Sequence, residues 1–204
     1  MQSTVLRSGA RAFMMAACLP LATPNASFGQ ADRETWQPPD KIMDAVGVKP
    51  GMRVGEAGAG RGYFTFPLAR RVGPEGVVFA NDISTSSLDV IRSRASTEGL
   101  DNVQIVVGAV EDPLFPEKNL DMVVMVYVLH MLEKPVEFMQ NVRGYIGAEG
   151  TLVIIEKDAT HERAHYPSFM ARSQVLETMG DTGYELVRTE TFLPRDTIYI
   201  YRQK

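Results

Sequence analysis

Between Val54 and Thr65 the chain reads VGEAGAGRGYFT, a carboxylate at Glu56 followed by glycines at positions 58, 60 and 62. Each glycine adds backbone freedom that folding must remove, so this spacing points to a main chain that bends tightly or approaches something closely. An apolar run precedes the stretch and an amphipathic one follows it, which reads as strand, turn and helix. In an open α/β sheet the first such turn lies at the carboxyl edge, where ligands bind. Gly58, Gly60 and Gly62 would let a ligand approach with no Cβ in the way, and the following helix offers its N-terminus.

Spacing narrows the ligand. A dinucleotide fingerprint needs G-x-G-x-x-G, hence a glycine at 63, where this chain has Tyr63. Pyrophosphate also sits poorly beside Glu56, whereas a carboxylate there suits a cation such as the amino group or sulfonium of S-adenosyl-L-methionine. A second requirement lies about 20 residues on, where a strand should end in an acid that accepts hydrogen bonds from ribose hydroxyls. VVFANDIS supplies Asp82 at that place. A strand-ending aspartate also serves as a helix cap, but after this turn and within one βαβ unit the pair reads as a nucleoside-cofactor site.

If the ligand is that sulfonium, its methyl group would leave by in-line displacement, in which alignment and desolvation carry most of the chemistry. A base matters only if the acceptor must first lose a proton. The stretch MVYVLHML places Tyr127 and His130 near the same edge. His130 could act as that base, or it could simply pack beside Leu129 and Met131. Tyr127 is either part of the acceptor pocket or core. The polar stretch EKDATHERAHYPSF, with Glu156, Asp158, His161, Glu162, His165 and Tyr166, reads as a lid over the acceptor or as a solvated loop. It would hold a metal only if His161 and His165 fell on one helix, and no metal site is expected. A short-chain oxidoreductase would show Tyr-x-x-x-Lys, yet Met131, Glu149, Met170 and Arg188 stand four places after Tyr127, Tyr145, Tyr166 and Tyr184.

The elements that must position these residues alternate along the chain. A lead-in arm and short helix span Glu34 to Val48. Strand-like runs follow at Met52 to Ala57, Gly76 to Asp82, Val103 to Ala109, Leu120 to Val128 and Thr151 to Lys157. Helical runs lie between them at Tyr63 to Val72, Ser86 to Glu98 and Lys134 to Ile146. Near-continuous Val, Ile and Met mark strands covered on both faces, and alternation with helices implies a parallel sheet with right-handed crossovers. After a helix over Phe169 to Gly180, YELVRTETFLP and TIYIYRQK are too close in sequence to pair in parallel, so they form an antiparallel pair. The class is α/β, an open doubly wound sheet.

EAGAGRG, together with VKPGMRVGEAGAGRGYFT, the Asp82 strand end, LDMVVMVYVLHML and the final strand pair, resembles the class I S-adenosylmethionine-dependent methyltransferases. Within that family it is most similar to a bacterial subgroup that often carries a leader peptide and a phrase like FLPR before the last strand. The resemblance implies a Rossmann-like seven-stranded sheet of order 3-2-1-4-5-7-6 with the last strand antiparallel. It also implies roles: Glu56, Gly58, Gly60 and Gly62 for the methionine part, with Tyr63 and Val126 against the cofactor, Asp82 for the ribose and Ile83 for one adenine face. Many members place an acid after the third strand for the adenine amino group. Here Ala109 stands at that position, which moves the expectation to Val110, Glu111 and Asp112. Tyr127 replaces an aspartate common in relatives, which implies a less charged acceptor pocket. The implied activity is methyl transfer to a small molecule with His130 and Tyr127 as candidate catalytic residues. A non-catalytic nucleoside binder with a degenerate acceptor site is the alternative from another class.

Composition sets outer bounds. The 204 residues, 45% apolar and 23% charged, suit one globular domain. Met1 to Ala31 carries Arg7, Arg11, no acid and the apolar run AFMMAACLPLA, and it resembles a secretory signal peptide cut near Asp32. A disordered leader is the other reading. The domain is then expected over 32–204, periplasmic if the leader is cleaved and cytoplasmic otherwise. Cutting there moves the net charge from −4 to −6, because two arginines leave and no acid does. That balance disfavours a nucleic-acid partner. Cys18 is the only cysteine and lies in the leader, which excludes a disulfide, a thiolate nucleophile and the multi-thiolate chemistry of arsenite methylation.

Overall fold

In a computed structural model of the chain, residues 27–158 and 170–204 are described. Helix α1 covers Ser27–Trp36 and α2 Pro39–Val46. Then come β1 (Arg53–Ala57), α3 (Thr65–Val72), β2 (Val77–Asp82), α4 (Thr85–Glu98), β3 (Val103–Val107) and β4 (Leu120–Val126). A short 3-10 turn at Leu129–Met131 leads to α5 (Pro135–Arg143), β5 (Ile146–Lys157), α6 (Arg172–Gly180), β6 (Tyr184–Glu190) and β7 (Asp196–Gln203).

The seven strands form one sheet in the order β3-β2-β1-β4-β5-β7-β6. Strand β1 runs parallel to β2 and β4, with Glu56 opposite Ala80 on one side and Val124 on the other. Strand β7 inserts antiparallel between β5 and β6. The expected order and the antiparallel last strand are both present, so the carboxyl ends of β1, β2, β4 and β5 share one edge.

Alternate residues of the central strands feed two apolar layers, which is why these strands read as continuous hydrophobic runs. Val54, Val78, Val124, Ile155 and Ile198 pack with Ile42, Met43, Phe64 and Leu68 of α2 and the α3 region. Ala80 meets Leu88 and Ile91 of α4 and Phe66 of α3. On the other face Phe79, Met125 and Ile154 pack with Met139 of α5 and Val175 and Met179 of α6. Local signals set the helix ends. In α2, Pro39 opens the helix and Gly47 closes it at φ +82°. In α4, the Ser84 hydroxyl accepts from the Ser87 amide and Gly99 closes at φ +65°.

Several boundaries differ from the sequence reading, among them the end of β4 at Val126 and not Val128 and the start of β5 at Ile146 and not Thr151. The lead-in arm is helical from Ser27, so α1 runs across the position between Ala31 and Asp32. Helix α5 ends at Arg143 and not at Ile146, because the Tyr145 carbonyl accepts from the Leu120 amide and Ile146 already pairs with Leu120 in the sheet. Strand β3 stops at Val107, since the Ala109 amide turns back to the Asp112 carbonyl. Among the described residues no helix is long and apolar enough to cross a membrane.

Candidate functional site

Three glycines of the turn after β1 bear on its role. Gly58, Gly60 and Gly62 have φ of +77°, +55° and +86°, a region that side chains with a Cβ rarely adopt. Their surroundings separate them. A Cβ on Gly60 would meet nothing within 4 Å, whereas one on Gly58 would lie 2.3 Å from Val128 Cγ2 and one on Gly62 2.5 Å from the Phe66 ring. The open approach expected for all three therefore belongs to Gly60. At Gly58 and Gly62 the missing side chain also lets the protein pack on itself.

The turn is held from the next strand. Asp82, at the end of β2, accepts through Oδ2 from the Gly60 amide at 2.8 Å and through Oδ1 from the Ser84 amide at 2.8 Å. It is thus both a local cap and the clamp of the glycine turn, and a carboxylate keeps lone pairs beyond these two contacts. Ile83 beside it is 62% exposed, an apolar side chain left open at the edge where an adenine face is expected.

Glu56 is buried inside this edge, where it accepts from the Thr65 hydroxyl at 2.5 Å. Burial pushes its carboxyl up to about 8, against the opposing pull of the Thr65 hydrogen bond and of Arg33. A nearby cation would restore its charge.

A cavity of about 750 Å³ opens at the carboxyl edge. Its wall contains Glu56, Gly58, Gly60, Tyr63, Val126, Tyr127 and His130, which the sequence had nominated, joined by Arg33, Arg61, Arg94 and Lys157. Gly62, Asp82, Ile83, Val110, Glu111 and Asp112, nominated with them, stand outside this lining. Val110 is half exposed, Glu111 pairs with Lys134, and Asp112 accepts from the Leu114 amide and the Tyr145 hydroxyl, each at 2.8 Å.

His130 stands on the turn after β4. Its Nδ1 lies 2.7 Å from Oε2 of Glu156, a β5 residue almost wholly buried, and its backbone amide faces the other carboxylate oxygen at 3.4 Å. That contact holds the ring and leaves Nε2 as its other nitrogen. Tyr127, just before it, has φ +60°, an uncommon conformation for a bulky residue and one associated with functional sites. Its hydroxyl donates to Oδ1 of Asp196 at 2.7 Å. Burial and the neighbouring Asp196 carboxylate both raise the phenol above its ordinary range, so it stays protonated.

Sequence reasoning missed a network behind that tyrosine. Asp196, fully buried at the start of β7, also accepts from Gln37 Nε2 at 2.6 Å. Gln37 Oε1 accepts from Arg33 Nε at 2.8 Å, and its carbonyl accepts from the Tyr63 hydroxyl at 2.6 Å. The Arg33 guanidinium lies 3.9 Å from the centroid of the Tyr63 ring. Burial lowers the Arg33 pKa from its usual value, while Tyr127, Tyr63, Asp196 and Glu56 act in the opposite sense. Only the rarity of Trp36 and the polar Gln37 in the lead-in arm could have hinted at this. Of the polar stretch expected as a lid or solvated loop, Glu156 lies inside β5 and Asp158 just after it, and both are buried, with Asp158 accepting from the Thr197 hydroxyl at 2.7 Å. His161, Glu162, His165 and Tyr166, nominated as lid or metal ligands, lie outside the described residues.

Two smaller hollows open elsewhere. One, of about 540 Å³, lies by Gly73, Gly99 and Asn102, and one of about 410 Å³ lies beside Pro39 and Pro67. Neither touches the glycine turn.

Known proteins are similar to parts of this chain and to its fold. The chain is 36% identical over 83 residues to nocamycin O-methyltransferase of Saccharothrix syringae, covering 41% of this chain and 30% of that protein. It is 32% identical over 115 residues to the ubiquinone/menaquinone biosynthesis C-methyltransferase UbiE of Ectopseudomonas mendocina, covering 56% of this chain and 45% of that one. It therefore spans less than half the length of these curated relatives. Its fold is similar to the crystal structure of a SAM dependent methyltransferase from Aquifex aeolicus, at a TM-score of 0.78 and 21% identity, over 85% of this chain and 93% of that one. Residues 48–188 match the family described as "Methyltransferase domain", and the chain belongs to that family.

Proposed function

We propose that the protein is an S-adenosyl-L-methionine-dependent methyltransferase that acts on a small-molecule acceptor. The observation that carries this reading is Glu56, buried beside the open Gly60 backbone and held near neutrality until a cation arrives. S-adenosyl-L-methionine supplies a methyl group on a sulfonium, transferred in line to a nucleophile. In this reading Glu56 takes the donor's cationic end, Gly60 lets the donor lie against the main chain, and Asp82 accepts from the ribose while fixing the turn. Ile83 covers one adenine face. Val110, Glu111 and Asp112 remain the expected adenine-amino contacts.

His130 receives a proton from the acceptor at Nε2 while Glu156 holds Nδ1, the division of labour found wherever an imidazole base is oriented by a carboxylate. Tyr127 walls the acceptor beside it and, with a neutral phenol, contributes shape and not charge, while Val126 stays against the cofactor. The relatives named for O- and C-methylation of small molecules support this class of acceptor. Calorimetry with S-adenosylmethionine, S-adenosylhomocysteine and NAD tests the donor: NAD binding with no response to the other two defeats the reading. Turnover across an acceptor panel separates an enzyme from a binder that keeps only the nucleoside pocket.

Export is part of the proposal, on the strength of Arg7, Arg11 and the apolar run from Ala12 to Ala22. A cut near Asp32 would leave Arg33 and Gln37 in the mature chain. N-terminal sequencing of the protein from its host tests it; an intact Met1 end argues for the cytoplasm.

A further inference from the structure

We propose that helix α1 is a built part of the donor pocket and that the buried carboxylate of Asp196 is its positioning residue, setting the helix through Gln37 and the end of β4 through Tyr127. This rests on the methyltransferase reading and adds to it a wall that lies outside the matched family domain.

Hydrogen bonds converge on that one carboxylate. Asp196 Oδ2 accepts from Gln37 Nε2 at 2.6 Å and Oδ1 from the Tyr127 hydroxyl at 2.7 Å, and both Asp196 and Gln37 are wholly buried. Each donor leads to the cavity wall. Tyr127 lines it directly. Gln37, just after α1, is held at its oxygens too: Oε1 accepts from Arg33 Nε at 2.8 Å and the carbonyl from the Tyr63 hydroxyl at 2.6 Å, and Arg33 and Tyr63 also line the cavity. Arg33 Cζ lies 3.9 Å from the centroid of the Tyr63 ring and 5.1 Å from that of Tyr127, so the helix reaches from the glycine turn to the end of β4.

Helix α2 is attached to the sheet by Ile42, Met43 and Val46, all buried. In α1 every side chain from Asp32 to Trp36 is exposed or half-buried, so what holds this helix is polar and directional. Burying a carboxylate costs more than burying an apolar side chain, and the cost is met only where its oxygens find donors in set positions. Such a network fixes where a segment sits. Tyr127 needs the same restraint, because its φ of +60° persists only where the surroundings hold it.

Residues 48–188, which match the family, contain the glycine turn, Asp82 and Tyr127, whereas Arg33 and Gln37 precede them and Asp196 follows. The two flanking segments therefore meet over a site that the shared domain supplies. There Arg33 and Glu56 act on each other as opposite charges. Glu56 is the residue assigned to the donor's cationic end, which puts α1 against the methionine part of the donor.

The test titrates S-adenosylhomocysteine calorimetrically into the full chain and its variants, well below their melting temperatures, and records the emission of Trp36, the only tryptophan of the chain and a residue of α1. Gln37→Leu is expected to weaken binding about tenfold and to shift Trp36 emission to longer wavelength. Asp196→Asn, which retains one acceptor oxygen, should lose less, and the double variant should lose no more than Gln37→Leu alone, because both cut one network. Arg33→Ala, which leaves Gln37 on Asp196, should weaken binding severalfold and carries the test should Gln37→Leu fail to fold. Wild-type affinity in Gln37→Leu or in Arg33→Ala overturns the assignment, as do additive losses in the double variant or an unmoved Trp36 emission in Gln37→Leu. If the wild-type chain itself does not bind S-adenosylhomocysteine, the methyltransferase reading is what falls, whereas equal binding by wild type and variants removes only the role of α1.

Discussion

The imidazole of His130 and the carboxylate of Glu156 meet at 2.7 Å, one on the turn after β4 and the other inside β5, 26 residues further along the chain. The side chain of His130 is 15% exposed and that of Glu156 is 1% exposed, so the pair joins the cavity to the sheet interior.

His130→Gln is accordingly expected to leave S-adenosylhomocysteine affinity unchanged and to slow turnover by about 10²-fold to 10⁴-fold for an acceptor that must lose a proton. Glu156→Gln should slow it in the same direction, since Nδ1 loses its charged acceptor. Steady-state kinetics beside calorimetry check both; wild-type turnover in His130→Gln would make the residue structural.

Gly60→Val should abolish cofactor binding while the chain still folds. The new side chain would meet no protein atom, but it would project into the space a ligand uses. The φ of +55° adds about 1–2 kcal/mol of strain. Circular dichroism and thermal melting would report the modest loss of stability, and calorimetry the loss of binding.

Asp82→Ala should weaken cofactor affinity by about 1–3 kcal/mol, through lost charged hydrogen bonds and a looser glycine turn. The Gly60 amide loses its 2.8 Å acceptor in that variant. Asp82→Asn, which keeps one acceptor oxygen, should fall between the two. Calorimetric affinities that match wild type in Asp82→Ala would reject the ribose assignment.

Cofactor affinity should rise with pH up to about 8, because the Glu56 carboxyl, held there by burial, must ionise to meet a cation. Below that value the gain approaches tenfold per pH unit if one proton is released on binding. The free protein has the opposite dependence. A carboxyl raised in the folded state favours folding below its unfolded value, and that contribution is lost as pH climbs from the ordinary carboxylate range through about 8. Glu56→Gln should flatten both curves. Proton release, read from calorimetry in buffers of different ionisation enthalpy, checks the first, and melting temperature against pH checks the second.

The amino-acid sequence by itself determined the alternation of strands and helices, the glycine turn after β1 and the acid at the end of β2, because these depend on short-range patterning and on backbone conformations that few residues tolerate. It also determined the antiparallel end of the sheet, since too few residues separate β6 from β7 for a parallel return. It could not distinguish Gly60 from Gly58 and Gly62, whose roles differ only in what lies beyond the missing Cβ. Nor could it join Gln37 to Asp196, which are 159 residues apart, or His130 to Glu156. Those contacts exist because the sheet order brings the ends of β1, β4, β5 and β7 to one edge and α1 across it. Once that edge is assembled, a buried acid must find a donor, and the donor is whichever residue the fold has brought alongside.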